Sequence, residues 1–195
     1  MKRIILMLRG FGMVLALAGR RIDTAGQAPP RFPFAHVKTV QQKLRTLLVE
    51  KRVRTLVCSA ACGADLVALD EAGKLGIDRR VFLPFNPDIF RASSVVDRPG
   101  PWGKVFDKVI AEVTASRGLA VLPASVDPRA GYIAINQLIL ETACELAAQT
   151  GDRAAATLVW NRHSRGADDL TAEFGSQAQQ MGLPLFEIDT SRPFR

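Results

Sequence analysis

Two short segments carry residue types that together suit an anionic ligand. The first, AGRRID from Ala18, sets Gly19 ahead of Arg20 and Arg21. Glycine lets a ligand approach the main chain, and guanidinium groups supply forked donors matched to phosphate oxygens. Taken by itself the segment reads equally well as a tight turn with two solvated arginines. The second, SAACGAD, runs through Ser59, Ala60, Ala61, Cys62, Gly63, Ala64 and Asp65. It compresses a strand end, a run of small residues and a helix start, and small side chains there expose backbone N–H groups at the positive end of a helix. Asp65 would repel a phosphate brought too close. Its carboxylate is therefore expected to brace the loop N–H groups or to accept from a ribose hydroxyl, with helix capping as the plain alternative. The spacing is neither that of a P-loop nor GxGxxG, so neither a Walker nucleotidase nor a dinucleotide dehydrogenase is supported.

Other polar groups cluster without a decisive pattern. They are Arg91, Ser93, Ser94, Asp97 and Arg98, then Asp127, Arg129, Tyr132 and Asn136, then Asn161, Arg162, Ser164 and Arg165. Each set also reads as a solvated loop. Tyr132 and Phe90 could stack on a base, although packing under the loops is the ordinary use of such rings. Glu141 and Glu145, one turn apart, read as a surface pair in preference to a general acid or base. Cys58 and Cys62 stand at CxxxC spacing, but His36 and His163 are remote and form no HxxH, so buried small residues are expected and no metal site.

The elements that must position these groups alternate in type. Apolar runs MVLALA from Met13, TLVCS from Thr55, RRVFLPF from Arg79, GLAVLP from Gly118, ATLVW from Ala156 and LPLFEI from Leu183 have the length of buried strands. Between them, helical periodicity is read after Val37, over Ala64–Leu75, Trp102–Ser116, Ile133–Thr150 and Leu170–Met181. Residues 86–101, rich in Pro and Gly, predict a loop or a flap over a site, and PASVDPRAGY a turn-rich connection. Six strands alternating with five helical crossovers predict an α/β, doubly wound, mostly parallel sheet with helices on both faces. Ligands of such sheets bind beyond the carboxyl ends of the strands, where both segments lie.

The chain has 195 residues, 48% of them hydrophobic, and a mean hydropathy of +0.09, which suits one compact domain over residues 13–195. Residues 1–12 read as an appendage, because Arg9 interrupts an otherwise signal-like apolar stretch. No segment predicts a membrane span. Three cysteines, Cys58, Cys62 and Cys144, point to a reducing compartment and hence the cytoplasm. The net charge is +7, and it is uneven: residues 1–54 hold 12 basic and 2 acidic side chains, the remainder 14 and 17. A solvated basic face explains this, and nucleic-acid binding would call for more exposed aromatics than the 7% present.

Taken together these residues resemble the SLOG superfamily, the Rossmann-like group that includes Smf/DprA DNA-processing proteins and LOG-type phosphoribohydrolases. The resemblance rests on the G-x-R element of Gly19, Arg20 and Arg21, the small-residue element Ser59–Asp65, LPF followed by FRASSVVDRPGPWGKVFD, an Asn-led helix from Asn136, and a closing VWNRHSRGADDLTAEF. It implies a pocket for a nucleotide or nucleotide derivative, held by Gly19–Arg21, Ser59–Asp65 and Asn136, with no cofactor and with a homo-oligomer or effector as a further partner. The PGGxGTxxE element of LOG-type hydrolases is absent, strand four continuing as LPASVDPRAGY, and the second motif is less glycine-rich than in Smf/DprA. Ligand binding or sensing is thus the leading expectation. A nucleotide N-glycoside hydrolase using Asp65 or Glu141, and single-strand nucleic-acid binding by the basic N-terminal third, are the alternatives.

Overall fold

A computed structural model describes residues 11–123 and 127–191; the expected appendage therefore lies, apart from Phe11 and Gly12, outside the described residues. Six strands form one sheet: β1 (Met13–Gly19), β2 (Val53–Cys58), β3 (Asp78–Leu83), β4 (Leu119–Val121), β5 (Arg153–Trp160) and β6 (Leu185–Asp189). Their spatial order is β4-β3-β2-β1-β5-β6, and every neighbouring pair is parallel, where the sequence predicted a mostly parallel sheet. The central strand β1 pairs along its whole length with Arg153–Val159 of β5.

Six α-helices are described: α1 (Val37–Glu50), α2 (Ala64–Lys74), α3 (Pro87–Ser94), α4 (Trp102–Ala115), α5 (Pro128–Thr150) and α6 (Leu170–Gln180). Side chains of β1 alternate between two cores, as the strand period requires. Leu15 and Leu17 join Val40 and Leu44 of α1, Leu66 and Leu69 of α2 and Phe106 and Val109 of α4. Val14 and Ala16 join Ile139 and Ala143 of α5 and Phe174 and Ala178 of α6. Helices α1, α2 and α4 thus cover one face and α5 and α6 the other. The chain winds outward from β1 to β4, crosses back through α5 and starts again at β5. That reversal leaves a crevice beside the carboxyl end of β1.

Two stretches differ from the sequence reading, for one physical reason. Residues 86–101 are not all loop, since Pro87–Ser94 is a helix, and α5 begins at Pro128 within the expected turn-rich segment. In both, an Asx–Pro pair that reads as a turn is a helix start: the Asn86 side chain accepts from the Asp88 amide at 2.9 Å, the Asp127 side chain from the Arg129 amide at 2.9 Å, and proline occupies the first helical position. Strand β4 is only three residues long and mostly exposed, a short edge that resists pairing with another sheet.

Candidate functional site

The two predicted segments meet. The Ala64 amide donates to the Arg20 carbonyl at 3.1 Å, and a Cβ on Gly63, whose φ is +98°, would lie 2.7 Å from that same carbonyl oxygen. A Cβ on Gly19 would lie 2.3 Å from the Cβ of Ala64. Glycine at both positions therefore serves the approach of one loop to the other. Above this junction lies a cavity of about 330 Å³ at the carboxyl ends of the strands.

Of the predicted residues, Gly19, Arg20, Arg21, Ser59, Ala61, Asp65 and Asn136 line the cavity. Ala60, Cys62, Gly63 and Ala64 do not: they are buried. The expected amide cradle is largely spent within the protein, because Ala61 N donates to Asp65 Oδ2 at 3.2 Å, Cys62 N to the Ser94 carbonyl at 3.0 Å and Ala64 N to Arg20. Asp65 thus braces the loop, as its charge at a helix start suggested. Burial raises its carboxyl to about 7, against the opposing effects of the Ala61 amide and the Arg21 charge.

The two adjacent arginines part company. Arg20, 5% exposed, makes a bidentate pair with Asp169 at 2.6 and 2.7 Å and donates through Nε to Asn161 Oδ1 at 3.2 Å and through Nη2 to the His163 carbonyl at 2.8 Å. Asp169 also caps α6, accepting from the Thr171 and Ala172 amides. Burial pushes the Asp169 carboxyl up, but the bonds from Arg20 and the Arg165 amide outweigh it and bring it down to about 2. Arg20 is therefore a tie between β1 and the β5–α6 connection, with little left to offer a ligand. Asn136 is similarly engaged, its Nδ2 donating to the Leu170 carbonyl at 2.9 Å.

Arg21 is partly exposed and ion-paired with Asp97, which also lies 3.3 Å from Arg98 Nε. Among the described residues, the buried side-chain polar atoms without a hydrogen-bond partner are Arg21 Nε, Arg98 Nε, Ser59 Oγ and Gln177 Oε1. The first three belong to residues of the cavity wall. Arg98 Nε still lies within ion-pair distance of Asp97, so Arg21 Nε and Ser59 Oγ are the two groups of this wall whose hydrogen-bonding capacity is left unmade, at a cost that an acceptor would relieve. Arg31 and Arg165 add two more guanidinium groups to the wall, against the carboxylates of Asp23 and Asp65. Leu17, Ile135, Ile139, Phe90 and Tyr132 also line the cavity, so its wall combines cationic and apolar side chains. Phe90 is fully buried and stacks on Phe106, which answers the question of its use as packing. Tyr132 rests edge-on against Phe85, with its hydroxyl 2.9 Å from Ser94 Oγ. Glu141 is exposed and accepts from Gln137 at 2.7 Å; neither it nor Glu145 lines the cavity.

Sequence reasoning named Arg98 and Arg165 only among polar groups without a decisive pattern, and did not single out Arg31 or Asp169. The rule of strand ends had selected the segments holding Arg98, Arg165 and Asp169, and the position of Asp169 immediately before an apolar-periodic run is an N-cap signal. Nothing local marks Arg31, which the β1–α1 connection carries back over the crevice: the Asp23 carboxylate accepts from the amides of Arg31 and Phe32 at 2.9 and 3.0 Å and closes that loop.

No family model matches the chain, and no curated protein matches it. Among solved structures, DNA processing protein A (DprA) from Streptococcus pneumoniae is similar at 18% identity and a TM-score of 0.40, over 90% of this chain and 58% of that one. The chain spans little more than half of that protein's length. Among the described residues no helix is long and apolar enough to cross a membrane, and no group of three His, Cys, Asp or Glu side chains gathers as metal ligands would.

Proposed function

We propose that the chain, as a member of the SLOG group, binds a nucleotide or nucleotide-derived molecule in the crevice beside β1. The observation that supports the reading is one 330 Å³ hollow whose lining residues include four arginines, Arg21, Arg31, Arg98 and Arg165, beside Ser59, with Arg21 Nε and Ser59 Oγ buried and without a hydrogen-bond partner. In this reading a phosphate sits against Arg21 and Arg98, where charge-assisted bonds are strongest, and the base lies toward Tyr132, Ile135 and Ile139. The volume falls at the lower end of the range for small-molecule sites, which favours a mononucleotide-sized ligand over a long strand. Arg20 and Asp169 hold the floor in place. Asp65 fixes the 59–63 loop and offers the remainder of its carboxylate to a sugar hydroxyl.

A panel of nucleoside monophosphates, each added at millimolar concentration in a thermal-unfolding assay, tests this directly. Binding to the folded state raises the melting temperature by mass action. A shift for at least one nucleotide, absent for its nucleoside, is expected; no shift for any phosphorylated member would contradict the reading.

One observation favours a second reading, hydrolysis of an N-glycosidic bond. Asp65 is a buried cavity carboxyl held to about 7, where a group can both hold and release a proton. Release of free base from a nucleoside monophosphate, seen by chromatography and lost in Asp65→Asn, would establish it; no base at enzyme concentrations near those of the substrate would remove it.

A further inference from the structure

The end of the sheet remote from the cavity carries exposed cations and exposed apolar side chains together. β1 runs from Met13 at this end to Gly19 at the cavity, a distance of about 20 Å. Contacts gather the group around Gly12 and Met13. The Met13 amide donates to the Arg52 carbonyl at 3.1 Å, and the Arg153 amide to the Gly12 carbonyl at 3.1 Å. The Arg153 guanidinium lies 5.9 Å from the centre of the Phe11 ring, which is 68% exposed. The Arg52 amide in turn donates at 3.1 Å to the carbonyl of Val49, whose side chain is 57% exposed in the last turn of α1, and exposed Lys51 stands between the two.

Little negative charge answers these cations. The buried Asp152 carboxylate is spent on Arg54 at 3.3 Å, the Gly12 amide at 2.8 Å and the Thr150 hydroxyl at 3.1 Å. Lys51, Arg52 and Arg153 are exposed, and among the described residues their side chains make no hydrogen bond or ion pair; the exposed Glu50 is the carboxylate beside them in the chain. Arg52 also occupies a position that suits glycine. Among the described residues five helices end toward this side of the sheet in a left-handed residue: Gly76, Gly151 and Gly182 follow α2, α5 and α6, but Arg52, at φ +53°, and Arg117, at φ +57°, follow α1 and α4. A left-handed backbone costs a residue with a Cβ energy that glycine avoids. Arg52 thus holds a cationic side chain at the surface against its local conformational preference.

Exposed lysine and arginine suit any polyanion, and the apolar component selects among them. A nucleic-acid strand asks for cations beside several flat rings, whereas this surface sets its cations beside Val49 and a single aromatic, Phe11. Cations around protruding apolar side chains match the interface of an anionic bilayer, where head groups take the charge and apolar groups enter the acyl boundary. The chain leading into Phe11 has the same character, MKRIILMLRG placing Lys2, Arg3 and Arg9 around the apolar residues 4–8. We propose that this end of the sheet docks on an anionic phospholipid surface, with Lys51, Arg52 and Arg153 against the head groups and Phe11 and Val49 inserted beneath them. The cavity then faces away from the lipid. No residue of the cavity takes part, so lipid docking and nucleotide binding stand or fall separately.

The test is sedimentation of the full chain with vesicles of phosphatidylcholine, with and without phosphatidylserine. Partition to the vesicles containing phosphatidylserine is expected to be about 10-fold or more stronger, and to weaken as salt is added. A cation at an anionic leaflet is worth about 5-fold, so Arg52→Gly should lower partition by about that factor and Arg52→Gly/Arg153→Gln by about 25-fold. Arg52→Gly should melt no lower than wild type, because glycine suits that backbone, and this separates lost docking from a lost fold. Phe11→Ser should weaken partition at low and high salt alike. Equal partition to the two kinds of vesicle, or equal partition of wild type and the double variant, would overturn the proposal. A mixed-sequence single-stranded oligonucleotide that binds wild type and is lost in the same variants, while the vesicles leave the protein in solution, would give the surface to nucleic acid and overturn it as well.

Discussion

Arg20 and Arg21 are adjacent in the chain and opposite in circumstance. Arg20 is buried against Asp169, Asn161 and a main-chain carbonyl, each meeting a guanidinium nitrogen within 3.2 Å. Arg21 leans on one partly exposed carboxylate and keeps a buried Nε without a partner. The contrast separates scaffold from site by a criterion that residue type does not supply. A saturated charged group holds the fold together, and an unsaturated one at a cavity wall is left for something else.

The largest effect expected from this contrast is on stability. Arg20→Ala strips Asp169 of its counter-ion in a buried place and should cost about 3–5 kcal/mol in urea unfolding, as breaking one half of a buried pair does. A loss under about 1 kcal/mol would mean that the knot is not structural. Next comes Arg21→Ala, whose pair with Asp97 is solvent-screened. Unliganded stability should change by about 1 kcal/mol or less, while nucleotide affinity falls about 10-fold or more. If Arg20→Ala and Arg21→Ala lowered stability equally, the distinction between them would be lost.

A smaller effect follows from Asp65. Its carboxyl, raised to about 7 in the fold, is ionised with an ordinary carboxylate pKa when unfolded. The folded state therefore takes up a proton that the unfolded state does not between about pH 7 and pH 4, and this group makes the unliganded protein more stable as pH falls through that window. A bound anion favours the protonated form further, so nucleotide affinity should rise by about 3-fold between pH 8 and pH 6 beyond the change seen in Asp65→Asn. An identical pH profile in the variant would remove Asp65 from the cavity's electrostatics. Smallest of all, Glu141→Gln should leave affinity unchanged and stability within about 0.5 kcal/mol, because the side chain is exposed and away from the cavity. A loss of ligand there would extend the site to the outer face of α5.

The architecture was legible because strand and helix periods alternate clearly. Runs such as MVLALA and ATLVW are buried strands, and the rule of strand ends then selected connections whose residues line the cavity. Helix α3 and the first turn of α5 were not legible, because Asn86–Pro87 and Asp127–Pro128 carry the same chemistry in a turn as in a cap, and only the chain that follows decides between them. The site was half legible. Convergence of Gly19–Arg21 on Ser59–Asp65 could be placed from topology, but the division of labour within it could not. Whether an arginine meets Asp169 or stays unsaturated depends on partners about 150 positions away, at β5 and beyond. The backbone amides expected to bind the anion were spent for a similarly non-local reason, the approach of Ser94 and Arg20 to the loop.

The central claim is that Arg21 and Arg98 hold a nucleotide phosphate. Calorimetric titration of adenosine 5′-monophosphate into wild type and into the Arg21→Ala/Arg98→Ala double variant, with matched unliganded melting temperatures, tests it most directly. The account predicts saturable binding to wild type and a loss of about 100-fold or more in the double variant. Equal affinity in the two proteins would contradict it.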